Sequence, residues 1–366
     1  MTRSRALVLA VAAVASLTLA LPATSGRVAH RSDQQATSHG LVVWPFDSRL
    51  SAANADTGIE IIVPESQPAA KVIVYVPFGY SLDLAIPPGT TIGTADARAT
   101  GTSGATRLQG NIVADLPARY SSDPAAIACA GPDPHAAVWL AQLASGPTTM
   151  PVALFVDPTP AIETGLGMYK LQLCLPPPDV PSSAGGAPSG LRITDLFAEL
   201  TRGVTNPTTP AADFLWRVLV TPFVPGTTTQ NPTGTDEARS IVVLPQVLTL
   251  QGRYDRKTKS IVLTGTMTLS GVRAGAGVDV NVFGSTKPAV STFKKLGEVK
   301  TKKGTIYTYR RKSTKTMYFG TFVDEYLYRA RCDTGPSTAP AGCVQESLPL
   351  EAFSRLLTVK VPKPKK

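Results

Sequence analysis

The segment 260–269 reads SIVLTGTMTL and is the stretch that decides the fold. Its large apolar residues recur at every second position, and threonines fill most of the positions between them. Because successive side chains of a β-strand point to opposite faces, this pattern predicts a strand with one buried face and one face in water. The residues that share the predicted buried face are Ile261, Leu263, Met267 and Leu269.

The same alternation extends outward from this strand. It recurs at 278–282 and at 317–323, and the first half of the chain consists of short apolar runs separated by turn residues. The 30 glycines and 32 prolines lie mostly between those runs, which is typical of many short strands, so we predict an all-β protein. Helical periodicity is nearly absent, and the two short helices that the pattern favours are Thr194–Thr201 and Ala352–Leu357.

Charge divides the chain into two halves. Residues 26–250 carry 12 lysines and arginines against 18 aspartates and glutamates, whereas residues 251–366 carry 22 against 8. A new set of strands starts near Pro245, where the sign changes. We therefore predict two domains and a tail, namely an acidic domain over 41–245, a basic domain over 246–358 and a basic tail over 359–366. The basic half indicates an anionic partner; the alternative is a solvated surface that favours solubility.

The N-terminal residues have the layout of a secretory signal peptide. Two arginines precede an apolar run over 6–21, and small residues follow at 23–26. The run is shorter than the ~20 residues of a membrane-spanning helix. We predict a signal peptide over 1–25 and a disordered lead-in over 26–40. The mature protein should then be secreted or associated with the cell envelope, with no transmembrane segment after signal cleavage.

The four cysteines fit an oxidising exterior. They are Cys129, Cys174, Cys332 and Cys343. An even number of cysteines in an exported chain indicates disulfides, and four cysteines allow three pairings. We favour Cys129–Cys174 and Cys332–Cys343, because each pair stays within one predicted domain. A metal site is the alternative, but the spacings match no C-x-x-C pattern.

The second half also carries a recognisable succession of motifs. These are LTLQGRYD (248–255), IVLTGTMTLSG (261–271), AGAGVDVNVFG (274–284) and EVKTKKGTIYTYRRK (298–312). With a Gly-rich turn, a Gly-Val-x-Val strand and an aromatic strand, residues 246–323 resemble the small Ig-like β-sandwich modules of exported bacterial proteins, including the carboxypeptidase-regulatory-like type. The resemblance implies a β-sandwich that serves as a spacer, a stalk or a binding unit. Lys302 and Lys303 replace that family's acidic turn residues, which argues against a calcium role there.

The pattern and the resemblance together predict two Ig-like β-sandwich domains in tandem after a signal peptide. Groups for catalysis are scarce in this arrangement. The histidines are His30, His39 and His135, and the first two fall in the predicted lead-in. The sequence has no HExxH, no G-x-S-x-G and no phosphate-binding G-x-x-x-x-G-K-[ST]. For His135 we favour a turn histidine that is hydrogen-bonded at a strand entry.

Paired carboxylates are the remaining route to catalysis. The pairs are Asp195 with Glu199, and Asp324 with Glu325. Such pairs cleave glycosides without histidine, and a secreted carboxylate-dependent hydrolase is therefore one alternative function. Solvated surface acids explain the same residues, and we predict a chain that is not an enzyme and that binds no cofactor and no metal.

A dense basic run with interleaved tyrosines is the feature that favours a partner. Its members are Lys294, Lys295, Lys300, Lys302, Lys303, Arg310, Arg311, Lys312 and Lys315. Aromatic rings beside cations suit single-stranded nucleic acid and anionic polysaccharide alike, but export favours the latter, so no nucleic acid is expected. Strand alternation should send Arg310 and Arg311 to opposite faces. A scattered basic surface that protects edge strands is the alternative.

We therefore predict a secreted or envelope-associated binding or structural β protein without catalytic activity. Its basic domain would hold an anionic cell-envelope polysaccharide or contact a surface protein. Besides the hydrolase, the second alternative to this prediction is a passive stalk subunit of a surface assembly.

Overall fold

A computed structural model describes residues 39–273, 277–302, 306–332 and 343–362. In these ranges strands account for nearly all of the regular structure, which confirms the predicted all-β class. The signal peptide over 1–25, most of the lead-in and the last four residues of the basic tail lie outside the described residues.

The first half contains the strands up to Leu244 and one short helix, α1 (Pro124–Ala130). The strands are β1 (Gly40–Trp44), β2 (Thr57–Ile62), β3 (Ala69–Val76), β4 (Ser81–Leu82), β5 (Thr91–Gly101), β6 (Gly104–Asp115), β7 (Ala137–Ser145), β8 (Thr148–Pro158), β9 (Tyr169–Cys174), β10 (Arg192–Leu200), β11 (Val204–Thr205), β12 (Ala211–Pro222) and β13 (Asp236–Leu244).

The second half starts at Gln246 and continues the series. Its strands are β14 (Gln246–Leu248), β15 (Gln251–Asp255), β16 (Ser260–Leu269), β17 (Val272–Arg273), β18 (Asp279–Ser285), β19 (Lys294–Lys300), β20 (Ile306–Lys312), β21 (Met317–Cys332), β22 (Cys343–Phe353) and β23 (Leu357–Val359). Short 3-10 turns occur at Pro117–Arg119, Ala161–Glu163, Ser182–Ala184, Pro188–Gly190, Pro232–Gly234 and Val290–Thr292.

One antiparallel sheet organises the first half, in the order β1-β2-β10-β5-β6-β7-β8-β9-β3-β12-β13. The inward residues of all these strands form a single apolar core in which Trp139 and Trp216 are fully buried. Leu82 of β4 and Val204 of β11, which pair in a separate two-stranded sheet, also belong to this core. Because strands from the whole length of the large sheet contribute to the same core, that sheet must curve around it.

The second half is a sandwich of two sheets. β16 is paired on one side with β14 and β15 and on the other side with β17 and β20. Ile261, Leu263 and Met267 on its inner face are fully buried, as the alternation predicts. They pack in clusters with residues of β18 and β21, including Val282 and Phe319. The predicted β-sandwich is therefore confirmed for this half.

A short parallel pairing joins the two halves. Ala238, Arg239 and Ser240 of β13 lie beside residues 345–347 of β22. The Ser347 hydroxyl donates to the Leu41 carbonyl at 2.7 Å and lies 2.9 Å from the Ser240 hydroxyl, which in turn accepts from the Val43 amide at 2.9 Å. Serine side chains thus form hydrogen bonds with backbone groups on the edge of β1 that does not pair with β2. The two halves meet at this edge.

The predicted domain boundary near Pro245 remains a proposal. It rests on the separation of the cores: the first-half core ends at Leu244, whereas the two core clusters of the second half begin with Leu248 and Ile261. The two halves nevertheless share one sheet, because β13 of the first half pairs with β22 of the second.

Both predicted helices are wrong. All of Thr194–Thr201 except its last residue lies in β10, which pairs with β2 on one side and with β5 on the other. The side chains of Leu196, Ala198 and Leu200 point into the core. Every second residue from Leu196 to Leu200 is therefore buried, as in a strand. The second predicted helix begins at Ala352, but this residue lies near the end of β22, opposite Val323. In both segments strand pairing within the tertiary structure overrides the local helical preference.

A disulfide of Cys129 with Cys174 confirms the predicted pairing in the first half and ties α1 to β9. The strand register places Cys332 directly opposite Cys343 in the β21–β22 pair. Opposed residues of antiparallel strands have Cα atoms about 4.5–5.5 Å apart, which a disulfide can span. The side chains of both residues lie outside the described part of the chain, so this second disulfide stays a prediction.

Replacing Gly265 by alanine should destabilise the second half. A Cβ atom at this position of β16 would overlap the Thr249 carbonyl oxygen and the Tyr307 hydroxyl, both of which are held by their own hydrogen bonds. We expect a loss of about 1–3 kcal/mol in the free energy of unfolding, measured by thermal or urea unfolding. Gly165→Ala, where a Cβ would meet no atom within 4 Å, is the matched control. Equal stability of the two variants would refute the close packing of Tyr307 on β16.

Replacing both Cys129 and Cys174 by serine should lower the free energy of unfolding by about 4 kcal/mol, because the loop they close restricts the unfolded chain. The shift of the urea midpoint measures this effect. Thiol titration of the same denatured, unreduced variant should find no free thiol if Cys332 and Cys343 are bonded. Two thiols per chain would contradict the second disulfide.

Candidate anion-binding face

The predicted basic run occupies two neighbouring edge strands of the sandwich. Among the described residues β19 pairs only with β18, and β20 pairs only with β16. The Tyr309 hydroxyl of β20 donates to the Leu296 carbonyl of β19 at 3.0 Å and links the two edges. Most of the predicted residues therefore lie along one flank of the sandwich; Lys303 lies outside the described residues.

Two of the β19 lysines already have carboxylate partners. The Lys295 ammonium lies 2.8 Å from Glu298, and the Lys300 ammonium lies 2.8 Å from Asp279. Lys294 and Lys302 are exposed. The β19 edge is thus partly neutralised and is a weaker anion site than its lysine content indicates.

Alternation along β20 separates the predicted arginines, as expected. Tyr307 is fully buried and Tyr309 reaches the opposite sheet, so these two residues define the inner face. Arg310 and Lys312 share the outer face with exposed Ile306, whereas Arg311 lies on the Tyr307 side of the strand. The run is therefore not one patch, because only part of it points away from the core.

Strand pairing brings further cations to this outer face, and the sequence analysis missed them. A Cβ on Gly252 would meet Leu263, Leu357 and Val359 of the core, so Arg253 beside it points outward. The register then aligns Arg253 of β15, Val262 of β16 and Arg310 of β20 in one row.

The turn between β15 and β16 adds Arg256, Lys257 and Lys259, all exposed. The Lys259 carbonyl accepts from the Ser313 amide, which brings this turn next to the end of β20. The sequence does contain a signal for these cations, the motif RYDRKTK at 253–259, which lies some forty residues before the basic run.

We name this surface the basic face. It comprises Arg253, Arg256, Lys257, Lys259, Arg310 and Lys312. Within the described chain none of the six lies within 4.0 Å of a carboxylate oxygen. Asp255 is the acid beside them in sequence. Its carboxylate accepts from the Lys257 and Thr258 amides at 3.0 and 3.4 Å, and hydrogen bonding from Thr258 holds its pKa below the usual range. The face is therefore strongly positive.

The two acids of the β10 pair are widely spaced. Asp195 and Glu199 share one face of β10, and four residues of extended strand place their Cα atoms about 13 Å apart. The two carboxyl groups of inverting glycosidases lie within ~9.5 Å of each other. Asp195 is buried with its Oδ2 atom 4.0 Å from Nε of Arg98. Asp324 lies in β21, and the side chain of Glu325 is outside the described residues.

His135 is held at the entry to β7. Its Nδ1 atom lies 2.7 Å from Asp157 Oδ2, and its ring lies 4.4 Å from the ring of Phe155. The other oxygen of Asp157 accepts from the Ala136 amide at 2.8 Å. A catalytic triad would require a nucleophile at Nε2, and no described residue forms a hydrogen bond with that atom.

His39 differs from the prediction, because it is buried at the start of β1 rather than part of a disordered lead-in. Its Nδ1 atom lies 2.9 Å from Asp236 Oδ2, and its Nε2 atom is buried without a hydrogen-bond partner among the described residues. Burial lowers the pKa of His39, although Asp236 opposes this shift. The neutral imidazole is thus the form that the fold accommodates.

Other site types find no support in the described ranges. No group of three or more histidine, cysteine or acidic residues there is arranged to hold a metal ion. None of the helices in these ranges is long and apolar enough to cross a membrane.

Comparison with known proteins adds little to this geometry. No protein-family model matches the chain, and no curated protein matches it. Among solved structures, the chain is similar to the full-length major pilin SpaD from Corynebacterium diphtheriae, with 9% sequence identity and a TM-score of 0.24 over 88% of this chain and 67% of the pilin chain. A TM-score at this level supports no inference about function. The resemblance to a specific Ig-like family therefore stays a prediction beyond the confirmed β-sandwich.

Acidification should destabilise the protein through His39. Because its folded pKa lies below the unfolded value of about 6.5, the unfolded chain binds the proton more tightly, and stability falls as the pH drops through and below that value. We expect the melting temperature to decline between about pH 7.5 and 5.5, and the decline to be smaller in His39→Gln. His135→Gln, which leaves His39 in place, should keep the decline. An unchanged pH dependence in His39→Gln would contradict this assignment.

Proposed function

We propose that this chain is a non-catalytic β protein of the cell exterior that holds an anionic polymer on the basic face of its second half. The observation that carries the proposal is the group of six exposed cations that strand register gathers around one row of β15, β16 and β20. Like charges held together repel one another, and a polyanion that replaces the condensed salt ions relieves this repulsion.

The cations of the first half differ from those of the basic face, and this difference supports the proposal. Most of the described lysines and arginines of the first half lie within 4.0 Å of a carboxylate; these are Arg49, Arg98, Arg107, Arg119, Lys170, Arg192, Arg217 and Arg239. Cations in the first half are therefore largely neutralised within the protein, whereas those of the basic face are left to an external partner.

The export predicted from residues 1–25 places the partner outside the cytosol. An anionic polysaccharide of the envelope or the extracellular space is the polymer class that such a compartment offers, and a nucleic acid is not. The spacing of Asp195 and Glu199 gives no support to a hydrolase, so the proposal assigns the chain a binding or structural role.

Neutralising the basic face should weaken binding of the full chain to a polyanion. Each cation near an anionic surface contributes about 1 kcal/mol, so Arg253→Gln, Arg310→Gln and Lys312→Gln together should reduce affinity roughly 100-fold. Fluorescence anisotropy with labelled dextran sulfate measures the affinity. Raising NaCl from about 50 to about 300 mM should weaken wild-type binding steeply and the variant's binding less.

The matched control removes the same charge from the β19 edge, by Lys294→Gln, Lys295→Gln and Lys300→Gln. Since two of these lysines are paired with acids, this variant should lose much less affinity. Failure of the wild-type chain to bind any polyanion at low salt would disprove the proposed function.

A further inference from the structure

The row formed by Arg253, Val262 and Arg310 has a geometry that goes beyond a diffuse positive charge. Neighbouring strands lie about 4.8 Å apart, so the Cα atoms of the two arginines stand roughly 10 Å apart across β16. Both side chains leave the same outer face and both are exposed. Each is long enough to lean over β16, so their guanidinium groups can meet above Val262.

The burial of Val262 is what arginine stems lying over the middle strand would produce. It lies on the outer face of β16, opposite to the buried Ile261 and Leu263, yet only 4% of its surface is exposed. Its register neighbours are Arg253 on one side and Arg310 on the other. Long cationic side chains bury their methylene stems along apolar surface and keep their charged ends in water. Val262 thus gives the two guanidinium groups an apolar floor between them.

We propose that Arg253 and Arg310 form a clamp for a single tetrahedral oxyanion, a phosphate or sulfate group carried by the polymer; this inference rests on the proposed function of the basic face. A guanidinium fork binds two acceptor oxygens side by side. A carboxylate has only two oxygens, which lie in one plane, so a second arginine must share an oxygen that the first already binds, as Arg217 and Arg239 share one oxygen of Glu237. Phosphate and sulfate groups carry oxygens that point to several sides, so two opposed forks can bind one group together.

The neighbouring row suits the uncharged part of such a polymer. Gln251, Thr264 and Thr308 follow one another across the same three strands, one pleat repeat from the arginine row. Their side chains form no hydrogen bond with any described residue. Amide and hydroxyl groups that are not engaged within the protein can bond to sugar or polyol hydroxyls. The ligand class is therefore a hydroxylated chain that bears phosphate or sulfate groups.

Substitutions that keep the charge and remove the fork test this clamp. The full-length chain is titrated with polyphosphate, dextran sulfate and polyglutamate, matched in the number of charges per molecule. We expect the wild-type chain to prefer polyphosphate or dextran sulfate over polyglutamate about tenfold, since the oxygens of phosphate and sulfate groups point to several sides and fit two opposed forks better than a planar carboxylate does. The double variant Arg253→Lys with Arg310→Lys should lose this preference and keep its affinity for polyglutamate.

The matched control changes two arginines outside the clamp, Arg256→Lys in the turn and Arg311→Lys on the other side of β20, and should keep the preference. A stronger response to polyphosphate or to dextran sulfate identifies the source of the oxyanion as phosphate or sulfate, and either supports the clamp. Equal binding of all three polymers, or an unaltered preference in Arg253→Lys with Arg310→Lys, overturns the clamp while the proposed function stands. No binding of any polymer overturns both.

Discussion

Burial of the inner face of β16 is the constraint on which the second half depends. Ile261, Leu263 and Met267 are removed from water, and β16 is paired along both of its edges. A slip of one residue in either pairing would turn the apolar set of a strand outward, so the register is strongly specified. The same register decides which cations share a face, because Arg253 and Arg310 are aligned through Val262. Packing of the core and the chemistry of the surface are thus two consequences of one alternation.

The meeting of the two halves is built from hydrogen bonds rather than from a continuous core. Ser240 and Ser347 lie on adjacent parallel strands and satisfy backbone groups of β1 that would otherwise be buried without partners. An unsatisfied buried backbone group costs about 1–3 kcal/mol, so this small network stabilises the junction and fixes the relation of β13 to β22. The apolar clusters on either side remain separate.

The distribution of ion pairs gives the two halves different electrostatic roles. In the first half, arginines such as Arg107 and Arg217 are held against carboxylates across neighbouring strands. In the second half, the cations of the basic face project from a sheet surface where Asp255 is engaged by turn amides. Net charge alone would not reveal this difference, since it counts paired and unpaired cations alike. The proposal of an anionic ligand rests on the unpaired set, and the clamp rests on its geometry.

The sequence by itself determined the strand class, the alternation of β16, β18 and β21 and the opposed directions of Arg310 and Arg311, and it favoured the pairing of Cys129 with Cys174 over two alternatives. These features follow from the two-residue period of a strand or from closeness along the chain. The sequence pattern wrongly predicted a helix at Thr194–Thr201. Strands that are distant in sequence pair with this segment and impose β-structure on it, despite its local helical preference. The sequence pattern also missed Arg253 and the cations of the β15–β16 turn as members of one surface with Arg310. Only the tertiary structure decided these points, because strand order and register bring together residues that no local pattern connects.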